Sequence, residues 1–177
     1  MPEILSSTEI YQGRIFDVRV DDVRNGEDRY KREVVIHRGS AVIVPVFEDK
    51  TIAMVRQYRH AAGEYLLEIP AGSLDKGETS PQACAHRELE EEIGVVAEQM
   101  EEIASFYVSP GFLTEKMYVY LATGLTETSQ DLEIDEILEI ERHTFPEAFE
   151  LIRTGGIVDA KTMLGLILSG PRFGFIF

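Results

Sequence analysis

The sequence predicts an α+β chain, a mixed β-sheet flanked by helices, and three observations carry that class. Short runs of alternating or β-branched apolar residues, bounded by turn residues, fill the first third of the chain. Helical spacing begins only at Pro81. Beyond it, strands and helices interleave without a repeated βαβ period, which argues against a doubly wound parallel sheet. The length of 177 residues suits one domain, or one domain with an arm.

The predicted strands run from Ile15 to Val23, Arg29 to His37, Ala41 to Phe47, Thr51 to Tyr58 and Tyr65 to Ile69. Asn25-Gly26 and Glu48-Asp49-Lys50 stand between neighbours as hairpin turns would. A Gly- and Pro-containing loop, Pro70 to Glu78, leads into a helix over Pro81 to Ile93. Thr79 or Ser80 suits its cap, Pro81 its first position and Gly94 its stop. Strands follow at Ile103–Val108, Lys116–Thr123 and Ile137–His143, with an acidic loop over Gln130–Glu136. Helices near Pro146–Arg153 and Ala160–Leu168 close the chain. Residues 1–38 read as a strand-rich N-terminal arm in front of a main domain over 39–177.

The formal charge is −15, from 17 basic and 32 acidic side chains. Such a chain repels polyanions, which argues against nucleic acid or an anionic membrane as partner. The excess is uneven. Residues 1–60 hold ten basic and ten acidic side chains, so all of it lies downstream. Cys84 is the single cysteine, so no intrachain disulfide forms, as suits a reducing cytoplasm. No basic start with an apolar run opens the sequence, and nowhere do about 18 apolar residues occur together. A soluble, unexported protein is expected.

The strongest chemical signal is the segment His86-Arg87-Glu88-Leu89-Glu90-Glu91-Glu92-Ile93-Gly94-Val95. On a regular α-helix, Ala85, Leu89 and Ile93 form an apolar stripe, with Glu88 and Glu92 together about 60° to one side. One turn separates those two, about 6 Å along the axis, so they can converge on a hard cation while Glu91 approaches from the far side. Without a cation the arrangement is locally unsupported, because like charges at i,i+4 repel and a helix C-terminus disfavours anions. The alternative is a solvated, charged helix face.

These residues and the loop before them resemble the Nudix hydrolase box, G-x5-E-x7-R-E-U-x-E-E-x-G-U, where U is bulky and apolar. Gly72, Glu78, Arg87, Glu88, Leu89, Glu91, Glu92, Gly94 and Val95 fill its fixed positions in order. One departure is visible: eight residues, Thr79 to His86, separate Glu78 from Arg87, where the box has seven. Leu67-Glu68-Ile69-Pro70-Ala71-Gly72, Gln57-Tyr58-Arg59, Ser109-Pro110-Gly111-Phe112 with Glu115-Lys116, and Pro110 fifteen residues past Val95, are similar to the ADP-ribose pyrophosphatase subfamily.

The resemblance implies an α/β/α sandwich with a mixed sheet, the Nudix fold. It implies Mg²⁺, or Mn²⁺ in its place, held by Glu88, Glu91 and Glu92 with the carbonyl of Ala71, and Arg87 bracing the acids. It implies hydrolysis of ADP-ribose to AMP and ribose 5-phosphate. Other nucleoside diphosphate sugars, NADH or diadenosine polyphosphates are the alternative substrates, and a non-cleaving ADP-ribose or NAD sensor is the rival outside enzymes. Arg59 and Arg56 are candidates to grip phosphate oxygens, the alternative being exposed strand residues that balance the acidic surface. Glu68 stands open between a site or dimer role and a paired strand carboxylate, and Phe112 between stacking on or bordering the substrate and packing in the core. The subfamily's general base is a glutamate on a loop after the box. In Asp131-Leu132-Glu133-Ile134-Asp135-Glu136 that points to Glu136 as base or extra metal ligand, with Glu133 second. Relatives form homodimers whose arms reach the partner's site, so Arg32, within the cluster Arg29, Lys31 and Arg32, is a candidate nucleotide contact.

Overall fold

A computed structural model describes residues 1–74, 77, 80–130 and 137–177. The chain runs β1 (Glu3–Gln12), β2 (Phe16–Asn25), β3 (Asp28–His37), β4 (Ser40–Pro45), β5 (Thr51–Arg59), β6 (Glu64–Glu68), β7 (Ala71–Ser73), α1 (Pro81–Glu88), β8 (Val95–Tyr107), β9 (Lys116–Glu127), β10 (Leu138–Thr144), α2 (Phe145–Thr154) and α3 (Ala160–Ser169).

The strands form three sheets, ordered β1-β2-β3, β10-β5-β6 and β7-β4-β9-β8. All described pairings between these strands are antiparallel except β4 with β9, which is parallel and makes the sheet mixed. β4 is the centre of the molecule, with all six residues buried. Its period of two divides the interior. Val42 and Val44 face a core with Met54, Ile69, Phe145, Phe149 and Leu166, under α2 and α3. Ala41 and Ile43 face a second core with Ala53, Val55, Ala85, Leu89 and Ile93, under α1. Helices therefore cover both faces of the strand layer, as the α/β/α expectation requires.

The local signals act as read. In the β2–β3 hairpin Asn25 pairs with Asp28, and Gly26 opens the two-residue loop at φ +66°, a left-handed value that glycine adopts without strain. Ser80 caps α1 by accepting from the Ala83 N–H at 3.2 Å, with Pro81 at the first turn. Thr144 and Glu147 form a reciprocal capping box on α2.

Four elements differ from expectation, the first being β7, a short strand paired with β4 inside the segment read as a loop. β1 is a strand although its ten residues are all exposed, so no burial rhythm marks it in the sequence. β8 starts at Val95, directly after the helix, rather than at Ile103. The helix itself is not regular to Ile93: it is α-helical through Glu88 and continues as a wider π turn over Leu89–Ile93, ended by Gly94 at φ +69°.

The arm sheet meets the main body through β3. The Val35 N–H donates to the Phe112 carbonyl at 2.8 Å, and the Thr114 N–H to the Val35 carbonyl at 3.0 Å. Among the described residues no helix is long and apolar enough to cross a membrane.

Candidate active site

The turn from β6 into β7 is held against two other elements. The Ile43 N–H donates to the Pro70 carbonyl at 2.9 Å, and the Ile69 N–H to Thr162 Oγ1 of α3 at 3.0 Å. This fixes Ala71 and Gly72 beneath α1. Gly72 is glycine for a steric reason: a β-carbon there would overlap the Glu88 carboxylate. Cys84 packs behind the same strand, fully buried, with Sγ 3.5 Å from the Ser73 carbonyl oxygen.

A cleft of about 420 Å³ opens at this point. One wall is Arg87, Glu88 and Glu91 on the helix, and its floor is Ala71, Gly72 and Ser73. Gln57 and Arg59, two residues apart on β5 and hence on one face, enter from the side. Arg14, Ile15, His37 and Arg38, from the arm and the end of β3, line the rest.

The acidic wall is desolvated, with Glu88 only 6 % and Glu92 only 2 % exposed. Arg87 lies 2.7 Å from Glu88 Oε1 and 2.7 Å from Glu91 Oε2, bracing both. Glu92 lies behind the cleft surface, and its Oε2 accepts from the Ala71 N–H at 3.3 Å. Among the described residues no three His, Cys, Asp or Glu side chains stand gathered as a ready metal cluster. The donors nevertheless fit a hard divalent cation: they are carboxylate and peptide oxygens, two of the three carboxylates are buried, and the missing side chain of Gly72 lets the Glu88 carboxylate lie directly against the floor.

Glu68 is 1 % exposed and is a paired carboxylate. Arg59 donates Nη2 to Glu68 Oε2 at 2.6 Å and Nε to Oε1 at 3.1 Å, while Lys161 Nζ donates to Oε2 at 2.7 Å. Burial pushes the Glu68 carboxyl up, and the Arg59 hydrogen bond with the Lys161 charge outweighs it, so its pKa ends below the ordinary carboxylate value. Burial works against the Arg59 charge too, and the Glu68 hydrogen bond overcomes it and raises that pKa.

The structure thus gathers Arg59, Ala71, Arg87, Glu88 and Glu91 at one cleft, with Glu92 and Glu68 directly behind. It does not bring three other candidates there within the chain. Arg56 sits on the opposite face of β5 from Arg59 and pairs with Glu141 of β10 at 2.5 Å. Arg32 stacks on Tyr30, 4.3 Å from the ring centroid. Phe112 is 54 % exposed in the turn that meets β3, so it is not a core residue. Glu78, Glu133 and Glu136 lie outside the described residues. The sequence reading missed Arg14, Ile15, His37, Arg38 and Gln57. Only Gln57 carried a signal, as part of Gln57-Tyr58-Arg59.

Known proteins resemble this chain in sequence and in fold. The chain is 40 % identical over 166 residues to the methanol dehydrogenase activator of Bacillus methanolicus, covering 92 % of this chain and 89 % of that protein. It is 39 % identical over 162 residues to the ADP-ribose pyrophosphatase of Bacillus subtilis (strain 168), covering 89 % and 86 %. A crystal structure of an ADP compounds hydrolase superposes with a TM-score of 0.84 at 25 % identity, over 97 % of this chain and 94 % of that one. Residues 37–164 match the NUDIX domain, and they span the acidic helix, the glycine floor beneath it and α3 to Leu164. The chain therefore belongs to the NUDIX family.

Proposed function

We propose that the protein hydrolyses ADP-ribose to AMP and ribose 5-phosphate, with Mg²⁺ as its cation and Mn²⁺ able to replace it. The observation that carries this is the cleft itself, where buried carboxylates face arginines across a space of about 420 Å³. A pyrophosphate is anionic and needs both: cationic side chains for its outer oxygens, and a hard cation between it and the carboxylates. In the balanced reaction water adds its oxygen to one phosphorus and the bridging P–O bond breaks. The bridge oxygen leaves with the other phosphate, and the water protons pass to base and product.

Glu88, Glu91 and Glu92, with the Ala71 carbonyl, hold the cation. When bound, it neutralises substrate charge and acidifies the attacking water. Arg87 keeps Glu88 and Glu91 aimed, through its two 2.7 Å contacts. Arg59 takes phosphate oxygens bidentately, and Arg14 and Arg38 extend the cationic side of the cleft. Glu136, or Glu133 after it, receives the water proton.

The protein works as a homodimer in the cytoplasm. The dimer is suggested by the arm, which exposes Ile4, Ile10, Tyr11, Ile15 and Phe16, side chains that a partner's surface would cover. In a dimer Arg32 of one arm meets the nucleotide bound by the other subunit, and Phe112 borders it.

Product analysis with ADP-ribose, ADP-glucose, NADH and diadenosine polyphosphates at saturating Mg²⁺ is the test. AMP released fastest from ADP-ribose is expected, and no AMP from any of them overturns the assignment. Glu136→Gln and Glu133→Gln are compared in the same assay, and near-normal rates in both remove that loop from the mechanism.

A further inference from the structure

We propose that Lys161 and Asp159, at the start of α3, are positioning residues that aim Arg59 into the cleft by holding Glu68 from behind. The inference rests on the pyrophosphohydrolase reading, since it concerns how Arg59 meets phosphate.

Arg59 is the one link in this network that reaches the cleft. The Arg59 side chain is 37 % exposed, while those of Glu68 and Lys161 are 2 % and 11 % exposed. Glu68 Oε2 is shared, with Arg59 Nη2 at 2.6 Å on the cleft side and Lys161 Nζ at 2.7 Å on the helix side. Lys161 is fixed in turn by Asp159 Oδ2 at 3.0 Å. That carboxylate is locked onto the first turn of α3, accepting from the Thr162 N–H at 2.9 Å and from the Thr162 hydroxyl at 2.6 Å. The same hydroxyl accepts the Ile69 N–H at 3.0 Å, which ties the helix start to the backbone next to Glu68.

The chain of contacts has a physical consequence. A buried carboxylate with a single cationic neighbour draws that cation inward and cancels its charge. With Lys161 on the far side, Glu68 is satisfied from two directions, so Arg59 is oriented by it without being consumed by it. Removing the Lys161 ammonium leaves Glu68 to Arg59 alone, and the guanidinium, already on both Glu68 oxygens, is drawn more tightly to the carboxylate and away from the cleft. Lys161 touches no substrate and acts only through Arg59.

The test uses the full-length protein with Mg²⁺ and three readouts: affinity for inorganic pyrophosphate by calorimetry, KM and kcat with ADP-ribose, and thermal unfolding. Lys161→Met is expected to weaken pyrophosphate binding about tenfold and to raise KM alike, with kcat changed far less. Lys161→Arg recovers most of that loss. Combined with Arg59→Lys, Lys161→Met adds nothing beyond Arg59→Lys alone, because the two act on one contact. Asp159→Asn keeps a capping side chain and hence the fold, and is expected to weaken binding in the same direction by less. Unchanged pyrophosphate affinity in both Lys161→Met and Asp159→Asn overturns the proposal. So does a loss that multiplies in full onto Arg59→Lys, which marks a structural effect only, or a wild type with no pyrophosphate affinity. A wild type that binds pyrophosphate but cleaves no ADP-ribose takes down the substrate assignment and leaves the positioning role standing.

Discussion

β1 in the arm and β4 in the main body are both hydrogen-bonded strands, yet every residue of β1 is exposed and every residue of β4 is buried. The arm is held by its ladders and by surface pairs such as Arg24 with Glu3 at 2.6 Å and Arg29 with Asp22 at 2.5 Å. Exposed pairs of that kind contribute little, typically up to about 1 kcal/mol. The main body is held by two apolar cores on either side of β4. Backbone pairing shapes an element, then, and burial decides how much of the molecule's stability and chemistry depends on it.

The largest separation between the regions is catalytic. Glu92→Gln is expected to reduce AMP release from ADP-ribose below detection with the fold intact, whereas Glu9→Gln on β1 leaves the rate unchanged. Comparable rates in the two variants break the metal-site assignment. Next comes stability. Phe145, fully buried and stacked on Phe173 and Phe175 at 5.5 and 5.4 Å, is expected to cost about 3–5 kcal/mol on truncation to alanine, read by denaturant unfolding. Ile10→Asp in the arm should leave that unfolding free energy almost unmoved at low protein concentration and convert a dimer to a monomer in light scattering. A wild type already monomeric at micromolar concentration would remove the arm's proposed partner.

The smallest effect is acid sensitivity. Glu68 has a folded pKa below its ordinary 4.5, so its ionised form adds stability that is fully present above that pH and is lost as pH falls through the folded value. Asp22, held down by its hydrogen bond to Arg29, has the same sign below its ordinary 3.8. Glu68→Gln should flatten the acid limb of stability against pH visibly, and Asp22→Asn, in a solvent-screened surface pair, hardly at all. Equal slopes in the two variants would show that burial does not distinguish the two regions' carboxylates.

Much of this contrast is readable along the chain, and part is not. β4 and β5 declare themselves because burial imposes a period on their side chains, and α1 because Ser80 and Pro81 are local signals. β1 lacks any period, since neither of its faces is buried within the chain. Glu88, Glu91 and Glu92 are adjacent in sequence, so their grouping is visible before folding. The cleft residues Arg14, His37 and Arg38 come from the arm and the end of β3, and only the tertiary fold brings them opposite the acidic helix. The likeness of Gln57-Tyr58-Arg59 to a subfamily motif favours Arg59 over Arg56, and strand alternation agrees by placing the two on opposite faces of β5.

The π turn over Leu89–Ile93 closes with one residue more than an α turn requires, so the helix is out of phase with itself between Glu88 and Glu92. Removing a residue from it, for instance Glu90, would let one unbroken α-helix form, while drawing Glu91 and Glu92 one residue closer to Glu88 along the axis and changing their angle to it. Such a shortened chain should have the more regular helix and no turnover. Helical regularity and the aim of the carboxylates therefore pull in opposite directions on a single residue, and the native chain resolves that conflict in favour of aim.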